Sequence, residues 1–379
     1  MPRSPSPRVR LYLGTEKGTY VATTDSRRRR WDIHGPFQAG TPVYHVVPDP
    51  RSPGDVYALA NSGFWGPILY RSRNHGAGWS EIATPGLERQ GRRPPPKTWG
   101  EVPPGAIRNL WHLEPGSANE PKTLFLGADP HRLYRSDDGG ASWQENRGIA
   151  EHPTRLRWTP GGGGACLHTI LLDPERPHRM FVGLSAAGTF RSDDGGGSWT
   201  PMNRGVAVDF LPERRPEVGQ CVHHLALDPA DSRIVYRQDH NGIYLSEDAM
   251  EHWTRVGRSL PTDFGFVVAT HPALPGGAIF APLTPPPQRT MPARRLQLYW
   301  FDRKKRAFRP MIHRSPWIGE YGNHREGLTV DGLDPVGIYF GTTGGQVIYS
   351  PDSGRTWSEL PFRFPKIHSL SASPPPSRP

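Results

Sequence analysis

Two cysteine–histidine pairs carry the chemistry that is most visible in the chain. Cys166 and His168 form one, Cys221 and His223 the other, and each histidine lies five residues before an Asp-Pro step, at Asp173 and Asp228. In an extended strand, residues two apart share a side, so each thiol and its imidazole point the same way. Further histidines occupy comparable stretches: His45, His112, the neighbouring His224, and His368 near the C-terminus. Three uses are open to such a set. Two thiolates and two imidazoles suit zinc, and several imidazoles suit another divalent ion, although Cys-x-His is not a usual zinc spacing. Neutral imidazoles also serve as acid, base or hydrogen-bond partner to a ligand. The plain alternative is polar filling of a wet channel.

Charged and aromatic candidates surround these pairs. Arg155 lies in the stretch that leads to the first pair, and Glu217 in the stretch that leads to the second, which ends at Gln220. Arg325 and Glu326 begin a late strand and would place a charge pair beside it; exposed pairs of this kind stabilise little. Trp65, within Asn61-Ser-Gly-Phe-Trp65, is either a stacking platform for a sugar or an aromatic cap, and His240 sits in the turn Asp239-His-Asn241. Glu320 and Tyr321 are adjacent in the manner of an activated tyrosine. Gly161-Gly-Gly-Gly164 lacks the Lys-Ser/Thr and the helix of a phosphate loop, so its use is close approach of backbone to a ligand.

What positions these residues is a repeat. Ser136-Asp-Asp-Gly-Gly-Ala-Ser-Trp143 returns as Ser192-Asp-Asp-Gly-Gly-Gly-Ser-Trp199 and as Ser350-Pro-Asp-Ser-Gly-Arg-Thr-Trp357. Looser copies end at Trp79 and Trp253, and worn ones at Trp31 and Phe308. The Asp-equivalent positions 25, 74, 138, 194, 248, 302 and 352 are 49 to 64 residues apart. A fixed period of this size denotes stacked supersecondary units. Each copy follows two short β-branched and aromatic runs, for example Leu124-Phe-Leu-Gly and Leu133-Tyr-Arg, which read as a hairpin. Upstream lies a further strand that ends in Asp-Pro, a turn former. With a fourth strand starting at the Trp, each unit has four strands, and radial repetition of such units makes a propeller. The expected fold is therefore all-β: a single seven-bladed β-propeller of four-stranded antiparallel blades. The first unit lacks its innermost strand, and 366–372 supplies it, closing the ring without a free edge. Residues 1–8 read as a flexible leader, 9–372 as the propeller and 373–379 as a disordered Pro-rich tail. The other blades fall at about 43–92, 108–146, 165–203, 220–257, 265–310 and 326–363.

The serine–tryptophan boxes lie on one face of such a ring. Long connections at 84–105, 145–164, 203–219 and 309–323 lie on the other, around the mouth of the central channel. Loops longer than a turn requires are commonly binding loops. The innermost strands begin at that mouth, which brings His168 and His223 there, supported by His45, His112, Arg155, Glu217 and Arg325.

The boxes are identified as Asp-box, or BNR, repeats, and the chain resembles that propeller superfamily along its whole length, including bacterial proteins described as sialidase-like or glycosyl-hydrolase-like. The superfamily includes sialidases, xyloglucan-cleaving glycosidases, sortilin-type receptors and a photosystem assembly factor, so the resemblance implies the fold more strongly than the function. A sialidase needs three arginines around a carboxylate, a Tyr/Glu pair, an Asp acid and an early Arg-Ile-Pro segment. That segment is absent, seven units stand where six are usual, and nothing in the sequence joins Arg155, Arg157 and Arg325 into a clamp. The reading is therefore a hydrolase acting on a carbohydrate or small polar substrate at a His-rich site, with assistance by zinc or a similar divalent metal as one of its open forms and sialidase activity itself doubted. The alternative is a non-catalytic scaffold that binds a protein or peptide on the long-loop face.

Composition bounds the remainder. The net charge of +10 is concentrated in runs such as Arg27–30 and 303–306, which read as solvated turns rather than a nucleic-acid surface. No apolar run approaches membrane-spanning length, and residues 1–8 lack the apolar core of a signal peptide, so a cytoplasmic location is expected. Two cysteines exclude a disulfide framework.

Overall fold

The computed structural model describes residues 8–63, 65–86 and 106–373. Of the expected leader at 1–8 and tail at 373–379, residues 1–7 and 374–379 lie outside the described residues, as does the Pro-rich part of the 84–105 connection; Ser373 is ordered against the first strand, its N–H donating to the Arg10 carbonyl at 2.7 Å. Seven four-stranded antiparallel sheets stand around one axis. The innermost strands are Val43–Pro48, Asn109–Pro115, Leu167–Leu172, Val222–Asp228, Gly265–His271 and Leu328–Val330 in blades two to seven. Blade one takes its innermost strand from the other end of the chain. Ile367–Ala372 pairs with Val9–Thr15 in the register Leu13↔Leu370 and Tyr12↔Ser371, so the ring closes as the missing first strand requires.

Strands form where β-branched and aromatic residues cluster, and the sheets pack face to face through those side chains. Phe181, Val222, Leu225, Val235, Tyr244 and Trp253, for instance, fill the seam between blades four and five. The serine–tryptophan turns fasten these seams. Ser192 Oγ donates to Asp194 Oδ1 at 2.7 Å and accepts the Gly196 N–H at 2.8 Å. Asp194 Oδ2 in turn accepts the Ser198 hydroxyl at 2.7 Å and Oδ1 the Ser198 N–H at 2.9 Å, and these donors, the Ser198 hydroxyl first, hold its carboxyl down to about 2. Gly196 has φ of 96°, which a β-carbon disfavours. The turn aims its tryptophan at the preceding blade. The indole N–H groups of Trp143, Trp253 and Trp357 donate to the carbonyls of Ala83, Met202 and Met311, and that of Trp199 donates to Asn146 Oδ1.

One basic run departs from expectation. Arg27–30 reads as a solvated turn, but Arg28 is buried. Its guanidinium forms a bidentate pair with Asp331 of blade seven, both bonds 2.7 Å, and donates to the Pro335 and Pro351 carbonyls. The arginine crosses the seam between blades one and seven, a location that the local sequence does not disclose.

Each innermost strand except that of blade seven carries a bulge near its start, where two residues oppose one. The register slips at Tyr44, Trp111, His168, His223, Phe266–Val267 and His368. Bulges re-aim side chains, and this ring of them surrounds the channel beneath the long loops. The throat there is nearly filled. Tyr44, Trp111, His168, His324, Arg325, Glu326 and His368 enclose only about 20 Å³, enough for about one water.

Candidate functional site

The usable space is displaced from the axis, over blades four to six. Residues 159–163, between blades three and four, lie as a strap across it. The loop carrying Phe210, the hairpin turns with Ala186, His240 and Arg289, and the approach to blade seven with Arg325 complete a pocket of about 260 Å³. The glycine that ends the strap's run, Gly164, has a steric reason, whereas those before it do not. A β-carbon on Gly164, whose φ is 107°, would stand 2.4 Å from Asp129 Oδ2, and one on Gly161 would meet Cys221 Sγ at 3.4 Å.

The two cysteine–histidine pairs, alike in sequence, separate here. His168 and His223 occupy the same bulged position and reach for the same carbonyl on the next blade, but with opposite nitrogens. His168 Nε2 donates to the Val222 carbonyl at 2.9 Å, and its Nδ1 accepts from Thr169 Oγ1 at 3.0 Å, so both nitrogens are used. His223 Nδ1 donates to the Gly265 carbonyl at 2.6 Å, leaving Nε2 with a lone pair, 3.7 Å from Cys221 Sγ. Burial, then the charge of Arg325, holds the His223 imidazole well below its ordinary value, so the ring is neutral. Burial also raises the Cys221 thiol. His240 completes the group. Its backbone N–H donates to the Cys221 carbonyl at 3.0 Å, and one ligand atom from each of Cys221, His223 and His240 lies within 4.8 Å of the others. Cys166 stands apart. Its thiol contacts the Gly163 carbonyl at 3.2 Å, and burial pushes its proton affinity up. The four-residue metal set Cys166, His168, Cys221 and His223 is therefore corrected: Cys221 and His223 come together with His240, while the nitrogens of His168 are consumed in joining blades.

Arg325 is the pocket's main charge. Its guanidinium lies 5.7 Å from the ring centroids of both Trp111 and Phe266 and donates to Ser185 Oγ at 3.1 Å. It does not pair with Glu326, as the sequence suggests, nor with any other carboxylate among the described residues. Glu326 turns to the axis, 3.0 Å from His112 Nδ1 and 3.8 Å from His224 Nδ1. Burial pulls the His112 imidazole down, but hydrogen bonds to Glu114 and Glu326 outweigh this and lift it to about 9. His45 stacks on His112 with ring centroids 4.6 Å apart and accepts the Leu113 N–H on Nδ1. Burial, then the His112 charge, drives it down to about 3. His45, His112 and Glu326 thus form an ion-paired plug below the pocket rather than part of its wall. The sequence hides this division because His45 and His112 sit one residue past the bulged position that His168 and His223 hold.

The remaining candidates lie elsewhere. Arg155 donates to the carbonyls of Pro130 and His131 and stacks on Trp158, bracing the strap's approach. Glu217 pairs with Arg157 on the surface, half exposed. Trp65 is 65% exposed on its turn and does not reach the pocket. Gln220 is fully buried and donates to the Pro216 carbonyl at 2.6 Å, which shapes the loop before Cys221. Glu320 pairs with Arg294. The wall residues not anticipated are Phe266, Phe210 and Arg289. Phe266 was legible in principle, since it occupies in blade six the position that His223 occupies in blade five. Arg289 lies in a long hairpin insertion with no motif of its own.

Chemically, the pocket offers two guanidinium groups, an aromatic wall and a cluster of one sulfur and two imidazoles. Among the described residues, no Asp or Glu lines it.

No protein-family model matches the chain. A xyloglucanase of Paenibacillus sp is 27% identical over 196 residues, which span 51% of this chain and 16% of that protein. A GH74 enzyme of Niastella koreensis superposes with a TM-score of 0.55 at 17% identity, covering 84% of this chain and 45% of the enzyme. YCF48 bound to D1 peptide superposes at 0.52 with 11% identity, covering 95% and 85%. The structural likenesses establish the propeller architecture, and the chain spans less than half of either carbohydrate-active relative.

Proposed function

We propose that the pocket over blades four to six is the substrate site of a hydrolase acting on a carbohydrate or other small polar molecule, with an anionic group of the substrate received by Arg325. The observation that carries this reading is a cation held between two aromatic faces at the wall of a 260 Å³ pocket, with no carboxylate partner among the described residues. A pocket of that size fits a single sugar ring or a chain end. The xyloglucanase likeness supports a glycan as the substrate class. Glycosidases ordinarily place two carboxyl groups about the scissile bond. Among the described residues none lines this pocket, so hydrolysis by these residues calls for another means of activating water.

Gly162 supplies the test. A β-carbon there has only Arg289 Nη2 nearby, at 3.5 Å, an ordinary contact, so Gly162→Leu fills the pocket without straining the fold. Aryl glycosides and small carboxylate- and phosphate-bearing esters form the assay panel. Turnover of at least one, falling about 100-fold in Gly162→Leu with an unchanged melting temperature, supports the reading. Turnover that is absent throughout, or indifferent to the substitution, overturns it.

A second reading has its own support. The exposed large hydrophobics Trp65, Leu156, Phe210, Ile318 and Phe362 all lie on connections of the long-loop face. They stand on five separate connections, so a partner would have to span that face to cover them together, and the peptide-bound YCF48 resembles this chain in fold. Absence of turnover together with a partner footprint spread across those five residues would favour the scaffold.

A further inference from the structure

We infer that Cys221, His223 and His240 bind a zinc ion whose fourth position opens into the pocket. The separations fit. Zinc–sulfur and zinc–nitrogen bonds of about 2.3 and 2.05 Å at a tetrahedral angle put the two ligand atoms about 3.6 Å apart, and Cys221 Sγ stands 3.7 Å from His223 Nε2. The orientation fits as well. A metal-binding imidazole commonly donates its other N–H to a carbonyl or carboxylate, which fixes the tautomer. His223 does this with the Gly265 carbonyl at 2.6 Å. The backbone bond from His240 to Cys221 ties the third ligand to the first across the head of one blade.

Packing alone accounts for less. The His223 ring stacks on Phe266 with centroids 4.4 Å apart and meets Phe264 edge-on, but neither contact uses Nε2 or the thiol, which share one long S–H···N hydrogen bond at 3.7 Å. A soft sulfur with two imidazoles selects zinc over calcium or magnesium. Three protein ligands with an open fourth place are the pattern of catalytic rather than structural zinc. All three residues line the 260 Å³ pocket, whose walls also carry Arg289 and Arg325, so a water in the fourth place faces an anion-binding wall.

The role of that water rests on the hydrolase reading above, whereas the metal does not. In hydrolysis the bound water loses a proton to solvent, which zinc makes feasible near neutral pH. Its oxygen bonds to the electrophilic atom of the substrate. The leaving group departs with the electrons of the broken bond and takes a proton from solvent.

The experiment uses the full chain, stripped with a chelator and dialysed against zinc, then separately against cobalt(II). About one zinc per chain is expected, with a sulfur-to-cobalt charge-transfer band in the cobalt form. His240→Ala, on a partly exposed turn, should reduce metal retention at least tenfold with little change in melting temperature. Cys221→Ser should abolish the charge-transfer band, and Cys166→Ser should leave both readouts intact. Zinc below about a tenth of an equivalent in the wild type, or full retention and an intact band in His240→Ala and Cys221→Ser, overturns the site. Stoichiometric zinc without turnover on the panel would leave the site standing and remove the hydrolase reading. Turnover by metal-free protein that is lost in Gly162→Leu would do the reverse.

Discussion

Arg325→Met separates binding from stability in a way that tests what the guanidinium is for. Its hydrogen bond to Ser185 and its two aromatic neighbours each contribute about 1 kcal/mol to the fold. Against this stands a partly buried cation that lacks a carboxylate, with Nε finding no partner. Desolvating such a charge costs a comparable amount. Methionine keeps most of the packing against Trp111 and Phe266 and removes the charge, so urea unfolding should move by no more than about 1 kcal/mol. Binding should respond far more. A charge-assisted hydrogen bond to an anion is worth about 1.5–3 kcal/mol, which weakens the dissociation constant of an anionic probe by about 10- to 150-fold. Isothermal titration with inorganic phosphate and with succinate reads this directly. A loss of more than about 3 kcal/mol in stability with unchanged probe affinity would refute the reasoning, because Arg325 would then be a structural brace.

Two further expectations concern the frame beneath the pocket. Arg28→Met leaves Asp331 buried without its cation and should cost about 3–5 kcal/mol in urea unfolding; a change under about 1 kcal/mol would mean that the seam closing blade one does not depend on this pair. The axial plug gives a pH dependence of known sign. His112 binds its proton more tightly folded, at about 9, than unfolded. Its contribution is therefore full below about 6.5 and is lost as pH rises to 9, by about 3 kcal/mol. His45 is held neutral, down to about 3, so it destabilises the fold as pH falls from about 6.5 toward 3. Stability should peak near pH 6.5, and His112→Asn should flatten the alkaline limb; a wild-type profile level from pH 6.5 to 9 would contradict the ion pair.

Much of the architecture is visible in the chain because its determinants are local. In the turns that end at Trp143, Trp199, Trp253 and Trp357, the serine and the aspartate bond within eight residues and the tryptophan reaches one neighbouring blade, so the motif and its purpose coincide. The orphan strand at 366–372 is legible by subtraction, since a ring with a missing inner strand has one place for it. Arg28 is not legible, because its partner lies 303 residues away and nothing around it differs from an exposed basic turn.

The pocket marks the limit more finely. Sequence spacing makes Cys166/His168 and Cys221/His223 equivalent, and the backbone agrees, since both histidines occupy a bulge and both bond the next blade. What divides them is the neighbour of each second nitrogen. Thr169 follows His168 and supplies a hydroxyl to its Nδ1, completing the ring's bonds. His224 follows His223 and turns to Glu326 at the axis, so no hydroxyl competes for the His223 ring, which is free to donate from Nδ1 and leave Nε2 beside a thiol. His240 then arrives from a hairpin turn that periodicity does not mark as chemical. A repeat fold holds each copy to the same backbone, so functional difference between copies enters through single side chains at matched positions, and the Thr169/His224 exchange is the residue-level signal that distinguishes a joint from a site.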